Sequence, residues 1–123
     1  MIRGEVSSSL QALVDLRISG ANGKSSRIQL TIDTGFNGFL TLPASVIAEL
    51  ELPWLFRHNG ELADGTIQVF DVFEATVDWN GQWRVAEVES IDAVPLLGMA
   101  IMEDHELSIV VREHGIATIR QVN

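Results

Sequence analysis

Asp33-Thr34-Gly35 is the stretch of this chain whose residue types best suit chemistry. The apolar run Ile28-Gln29-Leu30-Thr31-Ile32 ends on Asp33, Gly35 permits a tight turn, and a second apolar run, Gly38 to Pro43, follows at once. A carboxylate at that position is either a plain turn aspartate or an acid–base group held in a sheltered cleft. Other chemistries find little support. Cysteine is absent, which excludes thiol nucleophiles, disulfides and thiolate zinc sites. His58, His105 and His114 show no ligand spacing, so neither a metal nor a cofactor is expected. There is no Gly-x-Ser-x-Gly elbow. Gly23-Lys24-Ser25 matches the end of a phosphate-binding loop, but Ile18 stands where that loop needs its first glycine. A strand pattern, not a helix, comes after it.

The elements that must position Asp33 are mostly strands. Leu10, Ala12, Val14, Leu16 and Ile18 share one parity, and Gln11, Asp15, Arg17 and Ser19 the other, as a half-buried strand requires. Asn22-Gly23 then supplies a turn, and Ile28, Leu30 and Ile32 alternate again, which predicts a hairpin. A second hairpin is predicted at Asn80-Gly81. Its first arm shifts apolar parity near Val72-Phe73, so that arm carries a bulge or is buried on both faces. Trp79 and Trp83 flank this turn and are expected to form a cross-strand aromatic pair. A last strand pair is expected to join around Glu113-His114-Gly115. Residues 43–50 read as a helix opened by Pro43, with Val46, Ile47 and Leu50 on one face. Residues 98–107 read as a further short helical segment, with Met102 to Glu106 on its solvated face. The stretch 52–60, interrupted by Pro53, is expected to cover the core. The sum is one mostly β domain over residues 1–123, with about seven or eight strands and one or two short helices.

Composition limits the partners. Seventeen acidic against eight basic residues give a net charge of −9, a surface that repels phosphate backbones, so no nucleic-acid partner is expected. No apolar run approaches the roughly 20 residues of a membrane span. The N-terminal segment lacks the apolar middle of a secretion signal. A cytoplasmic protein without a membrane partner is the expectation.

Asp33-Thr34-Gly35 in this setting resembles the retroviral-type, or retropepsin-like, aspartic proteases, and the run from Asp33 to Pro43 looks like their small bacterial members. The other parts of that pattern follow in order: Ala63-Asp64-Gly65 at a candidate flap tip between extended arms within residues 61–66, then Leu96-Leu97-Gly98. The resemblance covers about residues 10 to 120 and implies a single-lobe, pepsin-like closed barrel. It implies an aspartic endopeptidase acting on peptide or protein substrates, with Asp33, Thr34 and Gly35 as the catalytic loop. Thr34 would brace the loop across a two-fold axis, and Gly35 would let backbone approach the carboxylate. Leu96, Leu97 and Gly98 would pack beneath it as structural support. Phe36 stands where these enzymes carry alanine or serine. It would either line a substrate pocket beside the flap or partly fill the site.

The chemistry of such a site needs two carboxylates about 3 Å apart that share one proton, so that one takes a proton from water while the other polarises the carbonyl. This chain has one Asp-Thr-Gly. Working as an enzyme, it must therefore act as a homodimer in which each copy contributes Asp33, and the resemblance suggests dimer contacts through the terminal strands. A catalytically inactive dimerisation or peptide-binding module is the alternative, and an unrelated acidic β-barrel binding protein is a third.

Overall fold

A computed structural model of the chain describes residues 1–61 and 63–122. Within them lie ten strands and one α-helix. The hairpin at Asn22-Gly23 is present as β2 (Ala12–Ser19) and β3 (Ser25–Ile32), paired antiparallel from Leu13↔Thr31 to Ser19↔Ser25. Alternation does the work: Val14, Leu16, Ile18, Leu30 and Ile32 turn inward to the core, and their neighbours turn out. Leu10 does not join this strand. It sits in a tight turn at φ 61°, and its side chain is exposed.

The second hairpin joins β6 (Ile67–Trp79) to β7 (Gln82–Ser90). Asn80 and Gly81 both have positive φ, the two-residue turn whose twist matches that of the flanking strands. Trp79 and Trp83 are not a pair. Register sets Trp79 opposite Gln82 and Asp78 opposite Trp83, which puts the two rings on opposite faces; Trp79 is buried and Trp83 exposed. The parity shift in β6 has a definite cause. Val72 is buried on one face, whereas Ala75, Val77 and Trp79 are buried on the other. The irregularity itself lies on the partner β5 (Trp54–Glu61), between Trp54 and Phe56.

That strand corrects the reading of residues 52–60 as a cover for the core. Leu52 is buried, but Trp54, Leu55 and Phe56 are exposed, because β5 pairs with β6 in a hairpin that projects from the body. Residues 98–107 are also not helical. Met99 to Asp104 form successive turns with bonds such as Met102 N–H to the Met99 carbonyl, and Asp104 has φ 63°. The chain then enters β9 (His105–Ile109), with Met102 buried and His105 half-buried, so neither is on a solvated helix face.

The helix α1 (Ala44–Glu49) follows β4 (Leu40–Leu42), with Pro43 at its N-cap and Asp92 accepting from the Ala44 N–H at 2.9 Å. It buries Ile47, and Leu50 just after it is buried too. The remaining strands are β1 (Ile2–Val6), β8 (Leu96–Leu97) and β10 (Ile116–Gln121). All ten form one sheet in the order β5-β6-β7-β4-β8-β3-β2-β1-β10-β9. A further pairing of β2 with β6, Ile18↔Val77 and Ser19↔Thr76, bends the middle of the sheet back on itself. The result is mostly β, as expected: one sheet with a partial ring of strands, in which the returning contact spans two residue pairs and β5 and β9 remain as edges. Each fully buried Leu, Ile or Val inside the ring contributes about 1.5–3 kcal/mol. β1 lies between β10 and β2, and β10 between β1 and β9, so the terminal strands are engaged within the chain. No helix among the described residues is long and apolar enough to cross a membrane.

Candidate active site

Asp33 lies where β3 leaves the sheet, and a short strand holds it there. β8 is only Leu96 and Leu97, yet it is inserted between β3, to which it runs parallel, and β4, to which it runs antiparallel. The Thr31 N–H donates to the Pro95 carbonyl and the Asp33 N–H to the Leu97 carbonyl, each at 2.9 Å. Successive odd residues thus donate toward β8, the alternation of an extended chain, which places the side chains of residues 31 and 33 on one face.

The loop after Asp33 is stitched to the chain after β8 by three more backbone bonds. Gly98 N–H donates to Phe39, Met99 N–H to Phe36 and Ala100 N–H to Gly38, at 2.8–3.0 Å. The loop also closes on itself, with the Phe36 N–H reaching the Asp33 carbonyl and the Gly35 N–H donating to Asp33 Oδ1 at 2.8 Å. A Cβ at Gly35 would lie 3.2 Å from that oxygen, closer than most real contacts, so glycine suits the position. The outcome is a half-buried carboxylate with one oxygen fixed by a backbone amide. Thr34 and Gly35 are exposed at the tip of the loop.

Phe36 is placed under the loop. Its ring rests where two glycines leave room: a Cβ at Gly38 would lie 2.5 Å from Phe36 Cζ, and one at Gly98 would lie 2.5 Å from Cδ2 and overlap the Gly38 carbonyl oxygen. Leu97 is fully buried in the core, and Leu96 is half-buried with its N–H donating to Thr41 Oγ1 at 3.0 Å. The structure therefore brings Asp33, Gly35, Phe36, Leu96, Leu97 and Gly98 into one bonded unit.

The candidate flap stands apart from this unit. Ala63, Asp64 and Gly65 form the tip between β5 and β6, next to Leu62, which lies outside the described residues. Asp64 Oδ1 accepts from the Thr66 hydroxyl (2.7 Å) and amide (3.0 Å), and these bonds hold its carboxyl below the usual carboxylate range. Gly65 has φ 85°. Among the described residues no hydrogen bond joins this tip to the Asp33 loop.

Three residues near the site escaped the sequence reading. Gly38 both accepts from Ala100 and admits the Phe36 ring, and its signal was a second glycine three residues after the first. Thr41 is buried and bonds the β8 backbone from within an apolar strand. Thr31 has a buried hydroxyl with no hydrogen-bond partner, on the same face as Asp33; nothing in the sequence distinguishes it from an ordinary strand threonine.

Elsewhere, Trp79 Nε1–H donates to His105 Nε2 at 3.0 Å, and His105 Nδ1 lies 2.7 Å from the Glu103 carbonyl. The neutral tautomer with hydrogen on Nδ1 satisfies both contacts. Among the described residues no three metal-ligating side chains gather into a metal site. A single carboxylate, fixed on one oxygen and open on the other, can act as a base but cannot by itself share a proton with a second acid. Neither a family model nor a curated protein matches the chain.

Proposed function

We propose that two copies of this chain form a cytoplasmic, retropepsin-like aspartic endopeptidase with a pepsin-like single lobe in each copy. The observation that carries the reading is the stitching of the Asp33 loop to the segment Leu96 to Ala100, which presents a half-buried carboxylate on a rigid loop. The resemblance of Asp33-Thr34-Gly35 and Leu96-Leu97-Gly98 to that family supports it.

In this reading a water sits between Asp33 and the partner's Asp33. The ionised carboxylate takes a proton from the water as its oxygen bonds the peptide carbonyl carbon, and the protonated one gives its proton to the carbonyl oxygen. The tetrahedral species then breaks its C–N bond as a proton passes to the nitrogen. Gly35 holds one oxygen of the carboxylate, and the exposed Thr34 is free to bond across the axis. The exposed apolar residues of the β5–β6 hairpin, among them Ile67 and Val69, are suited to cover an extended peptide or to meet the other copy.

Asp33→Asn tests this directly. Asparagine keeps an oxygen for the Gly35 N–H, so the fold and the dimer are expected to survive while peptide cleavage disappears. Turnover equal to wild type in that variant removes the dyad. A second reading, a peptide-binding module without turnover, is favoured by the in-chain engagement of β1 and β10, which takes the terminal strands away from a partner. Digestion of a peptide library with and without an aspartic-protease inhibitor separates the two. Inhibitor-sensitive cleavage rejects the module, and binding without cleavage rejects the enzyme.

A further inference from the structure

The outer face of β2 and β3 carries a cleft that residues 33–36 do not line. Its floor is Leu13 and Asp15 of β2 with Gln29 and Arg27 of β3, residues that alternate with the inward-facing core positions. β1 makes the wall. It pairs with β2 only at Glu5 and Val6, and at Gly4 its backbone crosses so close to the Leu13 carbonyl oxygen that any Cβ would overlap it. His114 and Ile116 also line the cleft, which is partly open to solvent and has a volume of about 520 Å³. Small-molecule sites fall in this range.

The formal charges lining the cleft, Arg3 and Arg27 against Glu5 and Asp15, balance, but they are not equally engaged. Asp15 is engaged by Arg27 at 3.7 Å, and Glu5 by His114 at 2.6 Å. Among the described residues, the side chains of Arg3 and Gln29 make no hydrogen bond or ion pair. One guanidinium and one amide are thus left facing a floor that includes Leu13. A second feature points the same way. Arg17 stands directly opposite Arg27 across β2 and β3, a like-charge pair that strands ordinarily avoid. In a chain of net charge −9, three of the eight basic residues, Arg3, Arg17 and Arg27, lie on this face and lower the opposition an anion meets there.

We infer that the cleft binds a carboxylate borne on a small apolar body. The Arg3 guanidinium takes the carboxylate, the Gln29 amide supplies a further donor, and Leu13 with Ile116 receives the apolar part. A cationic ligand is disfavoured, because both carboxylates in the cleft already have partners. The carboxylate can be that of a free short-chain acid or the C-terminus of a peptide. This site is independent of the protease reading, and Asp33→Asn leaves it intact.

The test is an amide NMR titration of the full chain, at low salt, with N-acetyl-Ala-Leu, its C-terminal amide and hexanoate. Saturable shifts of Arg3, Leu13 and Gln29 with either carboxylate, and none with the amide, are expected. Response to the dipeptide alone assigns the cleft to peptide C-termini; response to hexanoate admits free acids. Arg3→Met should weaken binding about tenfold or more, the usual effect of losing a charge-assisted bond. Arg112→Met, a change outside the cleft, should leave it within about twofold. Should Arg3→Met disturb the spectrum broadly, Gln29→Leu replaces it, with a loss of about threefold to tenfold. Absence of saturation with both acids, equal binding of the amide, or undiminished binding after loss of Arg3 (or of Gln29, where it replaces Arg3) overturns the inference.

Discussion

The packing of Phe36 against two glycines yields a prediction whose sign differs between neighbours. In Gly38→Ala the three atoms nearest the new Cβ all belong to the Phe36 ring, the closest being Cζ at 2.5 Å and Cε1 at 2.7 Å, roughly 1 Å inside ordinary carbon–carbon contact. Overpacking of this kind costs about 1–3 kcal/mol, offset by about 0.5–1 kcal/mol from a less flexible unfolded chain. A net loss of about 1–2 kcal/mol is expected. Phe36→Ala alone removes a half-buried ring and should cost about 2 kcal/mol, near half the value for a fully buried one. In the double variant the obstruction is gone, so Gly38→Ala should add no further loss.

Gly98→Ala behaves otherwise, because its Cβ overlaps the Gly38 carbonyl oxygen, and backbone cannot swing aside. Moving it strains the bonds Gly98 N–H to Phe39 and Ala100 N–H to Gly38. With about 1 kcal/mol for each bond added to the overpacking, less the same offset of about 0.5–1 kcal/mol from the unfolded chain, the loss is about 2–4 kcal/mol, and Phe36→Ala should not restore it. Urea unfolding followed by tryptophan fluorescence measures all five variants against wild type, provided the slope stays constant. Full rescue of Gly98→Ala by Phe36→Ala, or none for Gly38→Ala, would refute the assignment of side-chain and backbone obstacles.

Two more outcomes are expected besides those tied to Asp33 and Arg3. Thr31→Val replaces a buried, unbonded hydroxyl by a methyl group of similar shape and should stabilise the isolated chain by up to about 1–2 kcal/mol; destabilisation in urea would mean that the hydroxyl has a partner. Burial raises the Glu89 carboxyl above its ordinary 4.5, His58 opposes the rise and Glu87 adds to it. The folded state therefore holds this proton more tightly, and the associated stability is fully present below 4.5 and lost as pH rises through the folded-state value. Glu89→Gln should gain on wild type above that range and match it below, and an equal urea-midpoint difference at both ends rejects the burial argument.

Legibility followed the strength of local signals. The hairpins at Asn22-Gly23 and Asn80-Gly81 were plain because turn chemistry and alternation agreed in each. β1 gave no such signal: its two buried residues, Ile2 and Val6, sit four apart around Gly4, and its place comes from pairing with Ile116–Ile119 far along the chain. β5 was legible only as an extended arm beside the Asp64-Gly65 tip; its reach back to Trp54 was not, because a hairpin that projects from the body buries little and its residues carry no inside-outside pattern. The segment after Gly98 has the composition of a helix, yet its amides are spent on Phe36 and Gly38, which fixes it as turns instead. At the candidate site, Asp33 and Leu97 could be picked out singly, whereas the role of Gly38 and the resting place of the Phe36 ring depend on two segments some sixty residues apart meeting.

The shape of the Asp33 unit bears on what must complete it. Its backbone is bonded on both sides: β8 takes up the amides of Thr31 and Asp33, and residues 98–100 use the carbonyls of Phe36, Gly38 and Phe39. Such a loop presents its carboxylate in one orientation without rearrangement, the preorganisation that catalysis on a rigid scaffold demands. In the proposed mechanism the second acid comes from another molecule. β1 and β10 are already flanked within the chain, so a partner can extend this sheet only at β5 or β9, or dock on its faces. The β5–β6 hairpin offers Trp54, Ile67 and Val69 to solvent on one face and Phe56 on the other, apolar side chains that a partner can cover. The dimer that pairs two Asp33 carboxylates is therefore expected to bury this hairpin rather than the termini. Charged substitutions at Ile67 and Val69 should abolish association and turnover together, whereas truncation of Met1 should spare both. Turnover that persists in a demonstrably monomeric Ile67→Lys/Val69→Lys chain would show that one copy suffices, and the two-carboxylate mechanism would fall with it.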